Sequence, residues 1–193
     1  VHVGNSIVCH PYEERRLHED RIRFLYAGRL SKVKNVGPSI EAAKTWQREC
    51  ELRILGDGEE REYLKGIAGS SGRIVFAGAV TPQQVQKIMR ESDILVMNST
   101  FEGIPMIILE AISLGVPVIT TDVGGIKEVL TYGQDSEMTD GTVNQIQKAM
   151  EKICADYDRY SRNAYEKSLQ FDYRKVNRTI FSVLNESLKW EGN

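Results

Sequence analysis

The sequence predicts an α/β domain of the Rossmann-like kind, a parallel sheet with helices on both faces. Three observations carry that prediction. Short apolar runs alternate with helix-length segments five times between Arg23 and Leu130. Glycine or proline stands at most of the junctions. The chain has 193 residues, 41% hydrophobic and 27% charged, which is an ordinary globular balance with enough length for a sizeable core.

Residues 1–20 begin with Val1-His2-Val3-Gly4-Asn5-Ser6-Ile7, then turn polar, and read as a linker. The domain proper is expected over 21–171, with a separate C-terminal helix over 172–193. Arg23-Phe24-Leu25-Tyr26-Ala27-Gly28 is the first strand, followed by a loop to Gly37 and a helix from Pro38 to about Glu49. Leu52 to Gly56 is the second strand and Glu59 to Ala68 a helix; Arg73 to Ala77 is the third strand and Pro82 to Glu91 a helix. Ile94-Leu95-Val96-Met97 is apolar throughout, as a strand covered on both faces must be. A helix should start at Pro105, whose missing N–H costs nothing in a first turn, and stop at Gly115. Pro117 to Thr120 is the fifth strand, and a short helix follows from Gly125 to Leu130. After Gly141 the chain reads as helix over 142–155, 157–169 and 173–189.

The crossovers should be right-handed, and the expected strand order is 3-2-1-4-5, one of the common doubly wound arrangements. Growth of such a sheet reverses between strands 1 and 4, and ligands bind at the carboxyl ends there. The loop after strand 1 carries Arg29 and Lys34; the loop after strand 4 carries Glu102, Gly103 and Ile104, and the next helix carries Glu110. Two cations beside a helix N-terminus make a cradle for phosphate, or they are solvated loop charges. Glu102 caps the helix or faces a ligand. Glu110, in an otherwise apolar helix, needs a partner, a ligand hydroxyl or water, and Glu102 on its loop should be the easier of the two to solvate. At ~1.5 Å per residue the two glutamates lie about 10 Å apart, too far for the carboxylate pair of a retaining glycosidase; distance leaves an inverting pair open, and the rest of the chain decides against it. Gly56-Asp57-Gly58 is no dinucleotide fingerprint, since it follows strand 2 and has Arg61 in place of a third glycine. Gly124-Gly125 either starts a helix or admits close approach of another segment.

A net charge of −2 gives no general pull toward nucleic acid. Cys9, Cys50 and Cys154 form neither a metal spacing nor a disulfide framework, which suits a reducing, cytoplasmic setting. His2, His10 and His18 read as surface residues. No apolar run approaches ~18 residues.

In order, Gly28-Arg29-Leu30 with Lys34, Leu55-Gly56-Asp57-Gly58, Phe76-Ala77-Gly78, Ser99-Thr100-Phe101-Glu102-Gly103 through Glu110-Ala111, Gly115-Val116-Pro117-Val118 and Val123-Gly124-Gly125-Ile126-Lys127-Glu128 resemble the group 1 (family 4) retaining glycosyltransferases. The Glu-x7-Glu spacing is moderately specific alone; the ordered set is strongly so, and it covers Arg23 to Leu130. The resemblance implies the C-terminal, nucleotide-sugar-binding half of a two-domain glycosyltransferase-B (GT-B) fold, with residues 172–193 crossing back to the other half. It implies that Arg29 and Lys34 hold the donor diphosphate, that Glu110 meets the ribose, and that Glu102 faces the transferred sugar, with backbone N–H groups from Gly103 and Ile104. Phe76 to Val80, including Gly78, would frame the base. Glu102, Arg29 and Lys34 would be the catalytic set.

The implied reaction moves a hexose-type sugar from a nucleotide diphosphate to an acceptor with retention, with no cofactor and no metal. Its partners would be the nucleotide-sugar donor and an N-terminal acceptor domain of the same protein, which could itself touch a membrane; nucleic acid is not a partner. The fragment alone should not transfer sugar. Two rivals are a non-hydrolysing UDP-sugar epimerase and a non-catalytic nucleotide-binding module. Two departures from the pattern stand out. Asn35 replaces the usual glycine after the lysine. The polar run Gln134 to Asp140 replaces an apolar strand, so a sixth strand is missing or short.

Overall fold

The computed structural model describes residues 5–190 and, in the last helix, side chains as far as Ser182. Val3, Gly4 and the side chains of the last helix beyond Ser182, Val183, Leu184, Leu188 and Trp190 among them, lie outside the described residues. The elements follow in order: β1 Ile22–Ala27, a 3-10 turn Lys32–Lys34, α1 Gly37–Thr45, β2 Cys50–Leu55, α2 Arg61–Ala68, β3 Ile74–Gly78, α3 Pro82–Arg90, β4 Ile94–Met97, α4 Met106–Ser113, β5 Val118–Thr121, α5 Ile126–Val129, β6 Ser136–Thr139, α6 Val143–Ala155, α7 Tyr157–Ser168 and α8 Tyr173–Trp190. They build one six-stranded parallel sheet in the order β3-β2-β1-β4-β5-β6. Among the described residues no helix is long and apolar enough to cross a membrane.

β4 shows why the sheet carries a core on each face. Successive strand side chains point to opposite sides. Ile94 and Val96 join a cluster with Ile40, Leu64 and Ile146 from α1, α2 and α6. Leu95 and Met97 join the other, with Met89, Ile108, Ile112 and Ile126 from α3, α4 and α5. All four β4 side chains are buried, and each contributes about 1.5–3 kcal/mol of transfer free energy. α7 spans both cores, with Tyr157 and Tyr160 in the first and Ala164 in the second.

Several boundaries differ from the sequence reading. α1 ends at Thr45, short of Glu49, because Trp46 turns to an extended backbone and buries its ring against Phe24. Arg73 then donates to the freed carbonyls of Trp46 at 2.7 Å and Ala43 at 3.3 Å. Pro105 precedes α4 in the N-cap position with extended backbone, and the helix begins at Met106. α4 is buried on one broad face only: Ile108, Leu109, Ala111 and Ile112 are buried, whereas Met106 is 41% exposed. The sixth strand exists and is four residues long, pairing parallel with β5 from Ser136 to Thr139. Its buried Glu137 is held by the Tyr160 hydroxyl and by Lys152 Nζ at 3.0 Å.

The N-terminal segment packs along the domain. Ile7 pairs with the start of α8, with backbone bonds to Phe171 (3.0 Å) and Tyr173 (2.8 Å). His18 Nδ1 lies 2.7 Å from Oδ1 of Asp93, a fully buried carboxylate at the base of β4, so His18 is a partnered residue and not a free surface one.

Candidate functional site

The loops after β1 and β4 meet at the carboxyl edge of the sheet, where its growth reverses direction. The contact is made by backbone first. Thr100 N–H donates to the Val33 carbonyl at 2.8 Å, which docks the β4 loop on the 3-10 turn. Asn98 Nδ2 donates to the carbonyl of Asn35 at 3.2 Å and to that of Gly141 at 3.1 Å. Asn35 has φ 45°, in the left-handed region that glycine adopts freely and asparagine tolerates. Asparagine at this position is therefore compatible with a left-handed turn.

Docking brings Lys34 and Glu102 together. Lys34 Nζ donates to Glu102 Oε1, and the Ser99 hydroxyl donates to the same oxygen at 2.7 Å. The side chains of Lys34 and Glu102 are only 24% and 10% exposed, so the pair is screened weakly by solvent. This differs from one expectation: Glu102, on its loop, is largely covered and not readily solvated. Ser99 and its i+3 relation to Glu102 went unremarked in the sequence; a buried hydroxyl three residues before a loop carboxylate was the available signal. The turn around Glu102 is further supported from β5. Thr121 Oγ1 donates to the Ser99 carbonyl at 2.5 Å. A Cβ on Gly124 (φ 59°) would lie 1.8 Å from the Glu102 carbonyl, and one on Gly125 would lie 2.7 Å from Ile104 Cγ1. The two glycines therefore admit the 102–104 backbone.

Gly103 has no heavy atom within 4 Å of the place a Cβ would take, so the crevice is open above it. Among the described residues the N–H groups of Gly103 and Ile104 have no acceptor, while the Ile104 carbonyl accepts from Asn5 Nδ2 at 3.0 Å.

Arg29 lies apart from the Lys34–Glu102 pair in its contacts. Its side chain is 74% exposed and reaches Glu59 Oε2 at 3.3 Å. Its backbone is fixed, since the buried Tyr26 hydroxyl donates to the Arg29 carbonyl at 2.8 Å. Burial and the nearby Glu102 charge push the Tyr26 phenol above its ordinary range, so it stays a donor. Gly56 and Gly58 bring the β2 loop against this same backbone, with Cβ positions 1.9 Å from the Gly28 carbonyl and 2.2 Å from that of Leu30. Gly-Asp-Gly is thus a packing turn. Gly78 ends β3 with φ 72° and accepts from the Gly56 N–H at 2.8 Å.

Glu110 sits one turn into α4 and lines a pocket of about 240 Å³ with Gln86, Arg90 and Ser6. Among the described residues nothing hydrogen-bonds its carboxylate. Burial therefore raises its pKa. The structure thus clusters Lys34, Glu102, Gly103 and Ile104, leaves the Arg29 side chain exposed on Glu59 outside that cluster, and leaves Glu110 as a carboxylate in want of a donor. The one Asp-x-Asp sequence, Asp156-Tyr157-Asp158, lies at the opposite end of the sheet, where the Tyr157 hydroxyl meets the Asp93 carbonyl at 3.2 Å.

A family model described as glycosyl transferases group 1 matches residues 12–168. The lipopolysaccharide 1,6-galactosyltransferase of Salmonella typhimurium is 27% identical over 177 residues, which is 84% of this chain and 49% of that protein. In structure the chain resembles the apo lipopolysaccharide outer core galactosyltransferase WaaB, with a TM-score of 0.80 at 25% identity over 94% of this chain and 55% of that one. It also resembles Anabaena HepE in complex with UDP-glucose, with a TM-score of 0.75 at 22% identity over 86% of this chain and 49% of that one. The chain spans about a third to a half of the length of the curated relatives it matches.

Proposed function

The chain belongs to the group 1 glycosyl transferases, and from that premise we propose that it is the donor-binding half of a retaining glycosyltransferase acting on a nucleotide diphosphate sugar. One observation carries the proposal. At the switch point of the sheet, the Lys34–Glu102 pair lies in the same loop cluster as two backbone N–H groups, of Gly103 and Ile104, that have no acceptor among the described residues, and the space beside Gly103 is open. Lys34 and those N–H groups suit a diphosphate. Arg29 reaches it by turning from its exposed partner Glu59, an ion pair worth ~0–1 kcal/mol. Glu102 receives a hydroxyl of the sugar, and the unpartnered Glu110 takes the ribose hydroxyls. The segment Phe76 to Val80, with Gly78, borders the base.

In the reaction the anomeric carbon–oxygen bond to the diphosphate breaks, an acceptor hydroxyl oxygen bonds to the same face of the sugar, and the hydroxyl's proton passes to the departing diphosphate. The charge that develops on the departing diphosphate is offset by Lys34 and Arg29, once turned toward it, and by the backbone N–H groups of Gly103 and Ile104. That stabilisation uses no metal. The acceptor site belongs to an N-terminal domain of the same protein, so the 193-residue chain binds donor without transferring it; membrane contact, where it occurs, belongs to that other half. The UDP-glucose complex of the HepE neighbour supports the donor class. A thermal-shift panel of UDP-, GDP- and ADP-sugars tests the reading. A rise in Tm with at least one of them is expected, and no shift with any at millimolar concentration refutes it.

A further inference from the structure

We propose that Ser99 is a positioning residue for the donor sugar, acting through Glu102. The proposal rests on the donor-binding reading above. Ser99 is 1% exposed, at the end of β4. Its hydroxyl donates to Glu102 Oε1 at 2.7 Å, the oxygen that also accepts from Lys34 Nζ. Two donors on Oε1 leave Oε2 without a described partner. A carboxylate anchored through one oxygen has its rotation fixed, and the other oxygen is presented to the crevice as an acceptor.

Lys34 alone cannot supply that constraint. An ammonium on a four-carbon stem is a movable point charge, and a diphosphate would compete for it. Once Lys34 turns toward phosphate, Ser99 is the donor that still holds Glu102. Ser99 is itself immobile: its carbonyl accepts from Thr121 Oγ1 at 2.5 Å on the neighbouring strand, and the next residue's N–H is bound to the Val33 carbonyl. Ser99 thus ties the sugar-facing carboxylate to the sheet independently of the phosphate-facing lysine.

The test compares nucleotide sugar with nucleoside diphosphate in the same chain. Wild type, Ser99→Ala, Ser99→Cys and Ser99→Thr are titrated with UDP, GDP and ADP, and with the glucose, galactose and N-acetylglucosamine esters of whichever diphosphate binds best. The readout is the ratio of Kd for the sugar ester to Kd for the diphosphate. Loss of one hydrogen bond to a charged group should raise that ratio about fivefold or more in Ser99→Ala. Ser99→Cys, close in size and a poor donor, should do the same if the alanine variant folds badly, and Ser99→Thr, which keeps the hydroxyl, should restore the ratio. In a Glu102→Gln background Ser99→Ala should add little. An unchanged ratio in both Ser99→Ala and Ser99→Cys, or an equal effect with and without Glu102, would overturn the proposal while leaving donor binding intact. A wild-type chain that binds none of the diphosphates would instead remove the donor-binding reading, and this inference with it.

Discussion

Lys34 and Glu102, 68 residues apart, share a largely buried hydrogen-bonded ion pair across the loops of β1 and β4. The lysine assigned to phosphate and the glutamate assigned to sugar are therefore coupled. Removing the carboxylate charge frees Lys34 for a diphosphate. Glu102→Gln should tighten nucleoside diphosphate binding about two- to fivefold, because the partner that Lys34 gives up becomes a neutral amide. Glu110→Gln should weaken it about fivefold, because a charge-assisted ribose contact becomes a neutral one. Calorimetry on both variants with one diphosphate checks this; the opposite pattern would exchange their roles.

The two cations should act on phosphate and not on the nucleoside. Lys34→Ala should cost about tenfold to a hundredfold in diphosphate affinity, at ~1.5–3 kcal/mol per charge-assisted bond, and Arg29→Ala should act in the same direction. Nucleoside affinity should stay within about twofold. Equal losses for both ligands would mean that these residues shape the loop and not the ligand contact.

Much of this arrangement was legible in the sequence, and what was not has a physical cause. The parallel sheet followed from alternation, its strand order was expected as a common doubly wound arrangement, and β4 followed from its unbroken apolar run. β6 was obscured because its buried positions include Glu137, made tolerable by Tyr160 and Lys152, which are distant in sequence. The Lys34–Glu102–Ser99 cluster was half visible. Lys34 and Glu102 carried the family pattern, but their meeting depends on the Thr100–Val33 backbone bond, which no local periodicity encodes. Solvation was misjudged for the same reason: a loop position says little about exposure when another loop docks on it.

Gly124 and Gly103 should respond differently to alanine. At Gly124 a Cβ meets the Glu102 carbonyl and the backbone is left-handed, so Gly124→Ala should destabilise the fold by more than about 1 kcal/mol in urea unfolding. Gly103→Ala meets open space; its stability should change by under about 0.5 kcal/mol, while its nucleotide-sugar affinity falls because the methyl enters the crevice. Equal stability effects would remove the supporting role given to Gly124.

Glu110 should make the fold pH-sensitive. Burial raises its folded pKa above the 4.5 of an unperturbed glutamate. A raised carboxyl pKa means that this group's contribution is fully present below the unfolded value and is lost as pH rises through the folded one. Glu110→Gln should therefore have a higher Tm than wild type at pH 7, with the difference fading toward pH 4. A difference independent of pH would show that packing, and not ionisation, is responsible.

Nucleotide binding by the isolated chain is the most direct test of the account. Calorimetric titration of the 193-residue chain with UDP, GDP and ADP should show saturable one-to-one binding of at least one diphosphate, strongly weakened in Lys34→Ala and stronger than binding of the matching nucleoside. Absence of binding by all three at millimolar concentration, or binding that Lys34→Ala leaves unchanged, would contradict it.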